Sequence, residues 1–388
     1  MNPKRRALFA LLLVTTLTIA KLQEPPHKRV RRCAYQRLII LLRTIDPEKH
    51  RNYFRIDRDR FDHLLELISP LIQHAKTHRL PMSAAQRLAM CLRFLASGDK
   101  FVDLAYNFHC SPSQARLICH EVCLALCRVL KPRHLPQPTK QMWQQSAKGL
   151  WTKRSGSTHY SHKKTHSIVL MAVAGSDYRF LWANCGAPGR LADSSILAAS
   201  KFGKALDSGR LNLPDPAPLP GTDIVAPCVL VGDEGFMLKP NFMRPFPRAR
   251  LHPDSRREQI YNYRLSRARR ISENCFGILA NRWRILRQTL GVEPGYAKLI
   301  TYTTVVLHNY MIDTDPTARC SYMAPAQDDD RCALMSSRAP MSHNYSNNAA
   351  SVRSLFADYF VSPTGSISWQ DKVIGRGRLK RKPMDYLN

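Results

Sequence analysis

Cys228-Val229-Leu230-Val231-Gly232-Asp233-Glu234-Gly235-Phe236 is a short apolar run that stops at an Asp-Glu pair between two glycines. Such a run predicts a buried strand that delivers one carboxylate at its C-terminal end. Downstream, Leu265, Ala268, Ser272, Phe276, Leu279, Trp283 and Leu286 recur at helical spacing and predict one long helix, Tyr261 to Leu286, with those residues inward. The helix carries Glu273, the only acid between Glu258 and Glu293, among Arg264, Arg267, Arg269, Arg270 and Arg282. A strand-end aspartate and a helix glutamate are the skeleton of two-metal phosphodiester cleavage. There, carboxylates from different elements converge on cations that activate water and stabilise the leaving oxygen. Magnesium or manganese suits such hard oxygen ligands. The two acids are therefore expected to face each other across one cleft. Spacing alone fits a plain helix ion pair at least as well, because Arg269 and Arg270 precede Glu273 by one turn.

The chain of 388 residues has 59 Lys and Arg against 29 Asp and Glu, a formal net charge of +30. So large an excess repels itself unless a polyanion is the partner, which points to DNA. The basic residues are spread through apolar segments, so a basic tail does not account for them. Eleven cysteines without a C-x-x-C pair argue against both a disulfide framework and a zinc knuckle. Cys119, Cys123 and Cys127 lie on one helix face and read as core. No segment after the first twenty residues is apolar and long enough for a membrane span, and nothing points to a small-molecule cofactor.

The first 138 residues read as a basic helical region that binds DNA. Lys4-Arg5-Arg6 followed by Ala7–Ala20 fits a first helix or a secretory signal, with the helix favoured. Helices are expected from Arg60, with Phe61, Leu64, Leu65, Leu67, Ile68 and Leu71 inward; over Ser83–Ala96, broken by Gly98; near Phe101–Phe108; and from Ser113 to Leu130. The last two, joined by a polar turn in which Ser111 or Ser113 caps the next helix, have the proportions of a helix-turn-helix. Arg116 and His120 sit one turn apart on the second helix, where they could read a major groove; otherwise the pair is scaffold.

Pro132, Pro136 and Pro138 mark a linker. Ser167–Ala174 and Tyr178–Cys185 then read as a β-hairpin about Gly175-Ser176-Asp177, and Leu213–Gly221 as a surface loop. A second apolar helix is expected over Ala297–Met311. Residues 313–388 read as a polar, partly disordered basic tail with Phe356–Phe360 and Trp369 as docking points. Its cluster Arg376–Lys382 suits nuclear import or phosphate contact, and the expected location is the nucleus, or secretion if residues 1–20 act as a signal.

Several motifs, in order, resemble the nuclease of PIF/Harbinger-type DNA transposons. They are Tyr160-Ser161-His162-Lys163-Lys164 with the strand to Ala174; Tyr178-Arg179-Phe180-Leu181; Gly186-Ala187-Pro188-Gly189-Arg190 and Asp193-Ser194; Val231–Phe236 with Leu238-Lys239-Pro240 and Met243-Arg244-Pro245; Asn262–Arg270, Glu273-Asn274 and Phe276–Trp283; and Leu307-His308-Asn309. The resemblance implies an α+β chain: a helix-turn-helix-like region followed by a DDE-type, RNase H-like mixed α/β nuclease domain over residues 139–312. It implies Asp233 as the second catalytic aspartate and Glu273 as the third acid, both metal ligands, with Asp193 a further candidate beside the metal. Lys163, Lys164, Arg267 and Arg270 would meet nucleic acid, a divalent ion (Mg or Mn) would be the cofactor, and a Myb-like protein the companion.

One departure matters. The family's first aspartate lies in a Gly-Ala-Ile-Asp-Gly-like strand before the tyrosine-lysine motif, and here no Asp or Glu occurs between Glu121 and Asp177. That strand is expected to be missing. A metal-dependent endonuclease and a non-catalytic DNA- or partner-binding remnant both follow from this sequence. Ser/His/Asp hydrolysis through His166, Ser167 and Asp233 lacks a G-x-S-x-G elbow.

Overall fold

The computed structural model describes residues 39–74, 82–152, 167–247, 251–252, 255–315 and 346–371. Ala7–Ala20, Tyr160–Lys164 and Arg376–Lys382 lie outside these. The class is α+β, rich in helix with small sheets. The chain divides into two compact units, one of residues up to His134 with Leu279–Thr314, the other of Leu135–Ile278 with residues from Asp315 onward.

The first unit is helical: α1 (Ile40–Ile45), α2 (Pro47–Phe54), α3 (Arg58–Ile72), α4 (Ala84–Ser97), α5 (Phe101–Phe108), α6 (Pro112–His134) and, after a long sequence interval, α11 (Pro294–Thr314). Local chemistry sets the boundaries. Ser83 and Gln86 form a capping box at the start of α4, and Gly98 ends it in the left-handed region at φ 79°. A Cβ on Gly98 would also stand 2.7 Å from Gln288 Cγ, so packing and backbone both require glycine there. Between α5 and α6, His109 takes φ 53° and Ser111 Oγ accepts the Gln114 N–H at 3.1 Å, so Ser111 is the cap. Around α6 pack α3, α4, α5 and α11. Phe61, Leu64, Ile68, Leu92, Leu126, Ile300 and Leu307 are fully or nearly fully buried between them.

The second unit contains α7 (Lys140–Thr152), the hairpin β1 (Ile168–Ala174) and β2 (Phe180–Pro188), and the short helices α8 (Asp193–Ala199) and α9 (Lys201–Asp207). There follow β3 (Ala217–Pro218), β4 (Val225–Ala226), β5 (Leu230–Val231), β6 (Phe242–Met243), α10 (Arg256–Arg282, of which residues to Ile278 belong here) and α12 (Asn347–Val361). β1–β2 and β3–β4 are antiparallel; β5–β6 is parallel, with Leu230 opposite Phe242 and Val231 opposite Met243. One core gathers Trp143, Met171, Leu181, Leu197 and Phe202. Another gathers Tyr261 and Leu265 of α10 with Val352, Phe356 and Tyr359 of α12.

Five features differ from the expectations. Pro132 lies inside α6, in its last turn and exposed, where water can take the carbonyl it strands. Pro138 precedes a helix instead of a linker: Thr139 accepts at the first turn of α7, and Trp143 anchors that helix with Nε1 donating to Leu211 O at 3.1 Å. On α3 the inward ladder is Leu64, Ile68 and Ile72, which leaves Leu71 39% exposed. On α10 the buried residues after Leu265 are Ile271, Cys275 and Leu279, with Ala268, Ser272 and Phe276 only half-buried. The period of a helix admits both stripes, and here the bulkier Ile271 and a thiol with a carbonyl to bond took the inside. Within the expected tail, residues 346–371 fold: Phe356 and Tyr359 are core residues, and Asp358 and Asp371 pair with Arg257 and Arg256 of α10.

Candidate functional site

Asp233 leaves β5 one residue after the Gly232 N–H donates to Met243 O at 2.9 Å, the last rung beside the parallel pair. Gly232 must be glycine for lack of room: a Cβ would lie 2.5 Å from Phe242 Cε1 and 2.8 Å from Phe236 Cδ2. The chain then turns, Asp233 Oδ1 accepting the Gly235 N–H at 2.9 Å. Buried Arg244 fixes the far side of this turn by donating to Phe236 O at 3.1 Å. The loop after β6 is tied to α10 through Asn262, whose amide accepts from Phe246 N at 2.7 Å and donates to Phe246 O at 3.0 Å. Asp233 is thus held at a defined place beside α10.

Glu273 meets it there through Arg269. The Arg269 Nη2 stands 3.9 Å from Asp233 Oδ2 and 3.8 Å from Glu273 Oε1. Both oxygens are within 4 Å of one nitrogen, so they are separated by no more than twice that distance. The side chains of Arg269, Asp233 and Glu273 are 22%, 30% and 47% exposed, which keeps the site open to water and ions. Farther along α10, the Cys275 thiol donates to Tyr178 O at 3.0 Å and Phe276 packs on Phe180, seating the β1–β2 turn on the helix. Burial drives the Cys275 thiol well above its ordinary pKa, so it is no nucleophile.

The other nominated residues are placed as follows. Asp193 is half-buried at the first position of α8. Among the described residues no three His, Cys, Asp or Glu side chains converge to hold a metal ion, so Asp193 does not complete the pair. Arg267 lies over the Trp369 ring, 4.1 Å from its centroid, and Arg270 is half-buried. Lys163 and Lys164 lie outside the described residues. In the first unit, Arg116 is exposed and pairs with Glu293 at 3.4 Å, while the His120 ring meets Tyr296 edge-on at 4.9 Å. Tyr296 OH donates to Arg116 O at 3.2 Å, so both candidates border the start of α11. Besides Arg116, α6 turns Ser113, Gln114, Leu117, Leu124, Arg128, Lys131 and Arg133 to solvent.

The divalent metal implied by the resemblance does not fit this donor set. A two-metal centre needs about three carboxylates. The described residues bring two together, and a guanidinium stands between them. The role of Arg269 toward Glu273 is legible in the sequence as a pair four residues apart; its reach to Asp233 is not, and no local signal gives it. Gly232 carries such a signal, a glycine between a β run and an acid.

Residues 145–309 match the sequence profile described as DDE superfamily endonuclease. A protein named "Protein ALP1-like" from Arabidopsis thaliana is 27% identical over 306 residues, covering 70% of this chain and 72% of its own length. No solved structure matches significantly. Endonucleases of this superfamily typically use divalent metals. Residues 145–309 are therefore similar to the DDE superfamily endonucleases.

Proposed function

We propose that this chain is a nuclear DNA-binding protein descended from a Harbinger-type transposase nuclease, and that it has lost the power to cut. The observation that carries the reading is the acid site: Asp233 and Glu273 meet at one guanidinium with no third acid beside them among the described residues. The sequence agrees, since the interval in which the family keeps its first aspartate has no Asp or Glu. In this reading residues 1–138 bind DNA, 139–312 are an RNase H-like domain without its first strand, and residues 346–371 complete it. The +30 charge supplies non-specific affinity through phosphates. Lys163, Lys164, Arg267 and Arg270 contribute to it, Arg116 and His120 add sequence preference, and a Myb-like protein is the companion.

The second reading is a working metal-dependent endonuclease. It is favoured by one thing, the survival of both later acids at one place with Gly232 shaped to hold the strand end. A plasmid nicking assay with magnesium or manganese separates the two. The chain as written is expected to leave supercoiled DNA intact, and a version with a Gly-Ala-Ile-Asp-Gly strand inserted before Tyr160 to regain activity. Robust cleavage by the unmodified chain, abolished by Asp233→Ala, would overturn the first reading and make Asp193 the residue to test next. Duplex binding by the same protein should weaken steeply with salt, and replacing Arg116 and His120 should flatten its preference among sequences.

A further inference from the structure

The acid pair carries a cation of its own. Arg269 and Glu273 share one helix face a turn apart, so their approach is set by α10 itself. Asp233 is brought to the same guanidinium by a turn that Gly235, Phe236 and Arg244 hold. We propose that Arg269 is the resident cation of the Asp233–Glu273 pair and keeps divalent ions out of it in this chain.

Three considerations support this. Magnesium demands oxygens at about 2.0–2.1 Å in a near-octahedral shell and dehydrates reluctantly, so two carboxylates without a substrate phosphate supply only part of that shell. A dication there would sit within a few ångströms of a guanidinium, which cannot shed its proton to relieve the repulsion. Arg264, Arg267 and Arg270 on the same helix add positive potential, whereas Glu273 is that helix's only acid after Glu258. The guanidinium meets both carboxylates without stripping a hydrated ion. One arginine thus neutralises part of an acid pair that in a nuclease would wait for metal. The inference shares its site with the reading above but not its fate: a chain that takes up manganese at Asp233 yet cuts no DNA overturns only this one.

The test is a Mn2+ titration of the full chain, with free ion followed by electron paramagnetic resonance and the fold checked by circular dichroism. Wild type and Arg269→Lys are expected to take up no ion that depends on Asp233. Arg269→Ala should gain one site, tighter than wild type by on the order of tenfold or more, and the double variant Arg269→Ala/Asp233→Asn should lose it. A wild-type chain that binds one Mn2+ more than Asp233→Asn overturns the proposal, as does a folded Arg269→Ala that gains none. Should Arg269→Ala fail to fold, wild type against Asp233→Asn still decides: equal uptake supports the proposal and unequal uptake ends it.

Discussion

Asp233 and Glu273, from a strand end and a helix, share a single guanidinium, with Arg269 Nη2 at 3.9 Å from one carboxylate and 3.8 Å from the other. The two acids therefore act as a local brake on an otherwise positive helix. Removing them should strengthen duplex DNA binding. Asp233→Asn with Glu273→Gln is expected to raise affinity roughly two- to tenfold at low salt and to steepen the salt dependence by about one phosphate contact. Fluorescence anisotropy across a salt series measures both. Unchanged or weaker binding would mean that this face of α10 does not meet phosphate.

Gly232 sets where Asp233 can be. Gly232→Ala drives a methyl to 2.5 Å from one phenyl ring and 2.8 Å from another, and both rings pack against each other. Overpacking of this kind costs about 1–3 kcal/mol. The denaturant midpoint should fall accordingly. Gly277→Ala serves as the control, because a Cβ there meets nothing within 4 Å and helix propensity favours alanine. Equal effects from the two changes would remove the steric argument.

Much of this was legible in the sequence and some was not, for physical reasons. Ser83, Gln86, Gly98 and Ser111 announce helix ends because capping is local chemistry, readable within a few residues. The hairpin about Gly175–Asp177 is equally local. Leu265 and Leu279 are buried as their spacing implies, but the middle of the inner face of α10 was not legible: the helical period admits Ala268, Ser272 and Phe276 as readily as Ile271 and Cys275, and the choice rests on Tyr178 and Phe180, nearly a hundred residues away. Within residues 346–371 the docking points Phe356–Phe360 and Trp369 were legible, whereas the pairing of Asp358 and Asp371 with arginines of α10 is tertiary. At the site, the Arg269–Glu273 pair follows from spacing, whereas the Arg269–Asp233 contact is tertiary.

His50 makes a prediction about pH. It is fully buried against Phe54 and Phe61, and neither ring nitrogen has a hydrogen-bond partner. Burial, then the nearby Arg43 and Arg58, lower its pKa from the ordinary histidine value. The unfolded chain therefore binds the proton more readily than the folded one. The neutral ring's contribution is intact above the unfolded value of about 6.5 and is lost as pH falls through the folded pKa. His50→Phe should make stability flatter between pH 5 and 7 (a range set by about 6.5 for the free ring). It should also raise stability at neutral pH by about 1 kcal/mol or more, by removing two unsatisfied polar atoms. Thermal denaturation at several pH values is the measurement, and a wild-type curve no steeper than the variant's would refute the assignment.

Asn309 explains why a Leu-His-Asn run closes the domain match. It is fully buried in α11, and its Nδ2 donates to His134 O at 2.6 Å, at the very end of α6. The last carbonyls of a helix have no partner within it and must find one elsewhere. Neighbouring side chains of the same α11 stretch close the rest of that end: the His134 ring meets Tyr310 edge-on at 5.3 Å, and its Nδ1 pairs with Asp313 at 2.6 Å. Asn309→Ala leaves a half-buried carbonyl without its donor and should cost about 1–2 kcal/mol. Asn309→Asp keeps the shape but turns an acceptor toward an acceptor and buries a charge, so it should cost more than the alanine change. Urea unfolding of both variants decides between hydrogen bonding and mere volume. If aspartate is tolerated better than alanine, the bond to His134 is not what Asn309 contributes, and the residue serves only to fill space between α6 and α11.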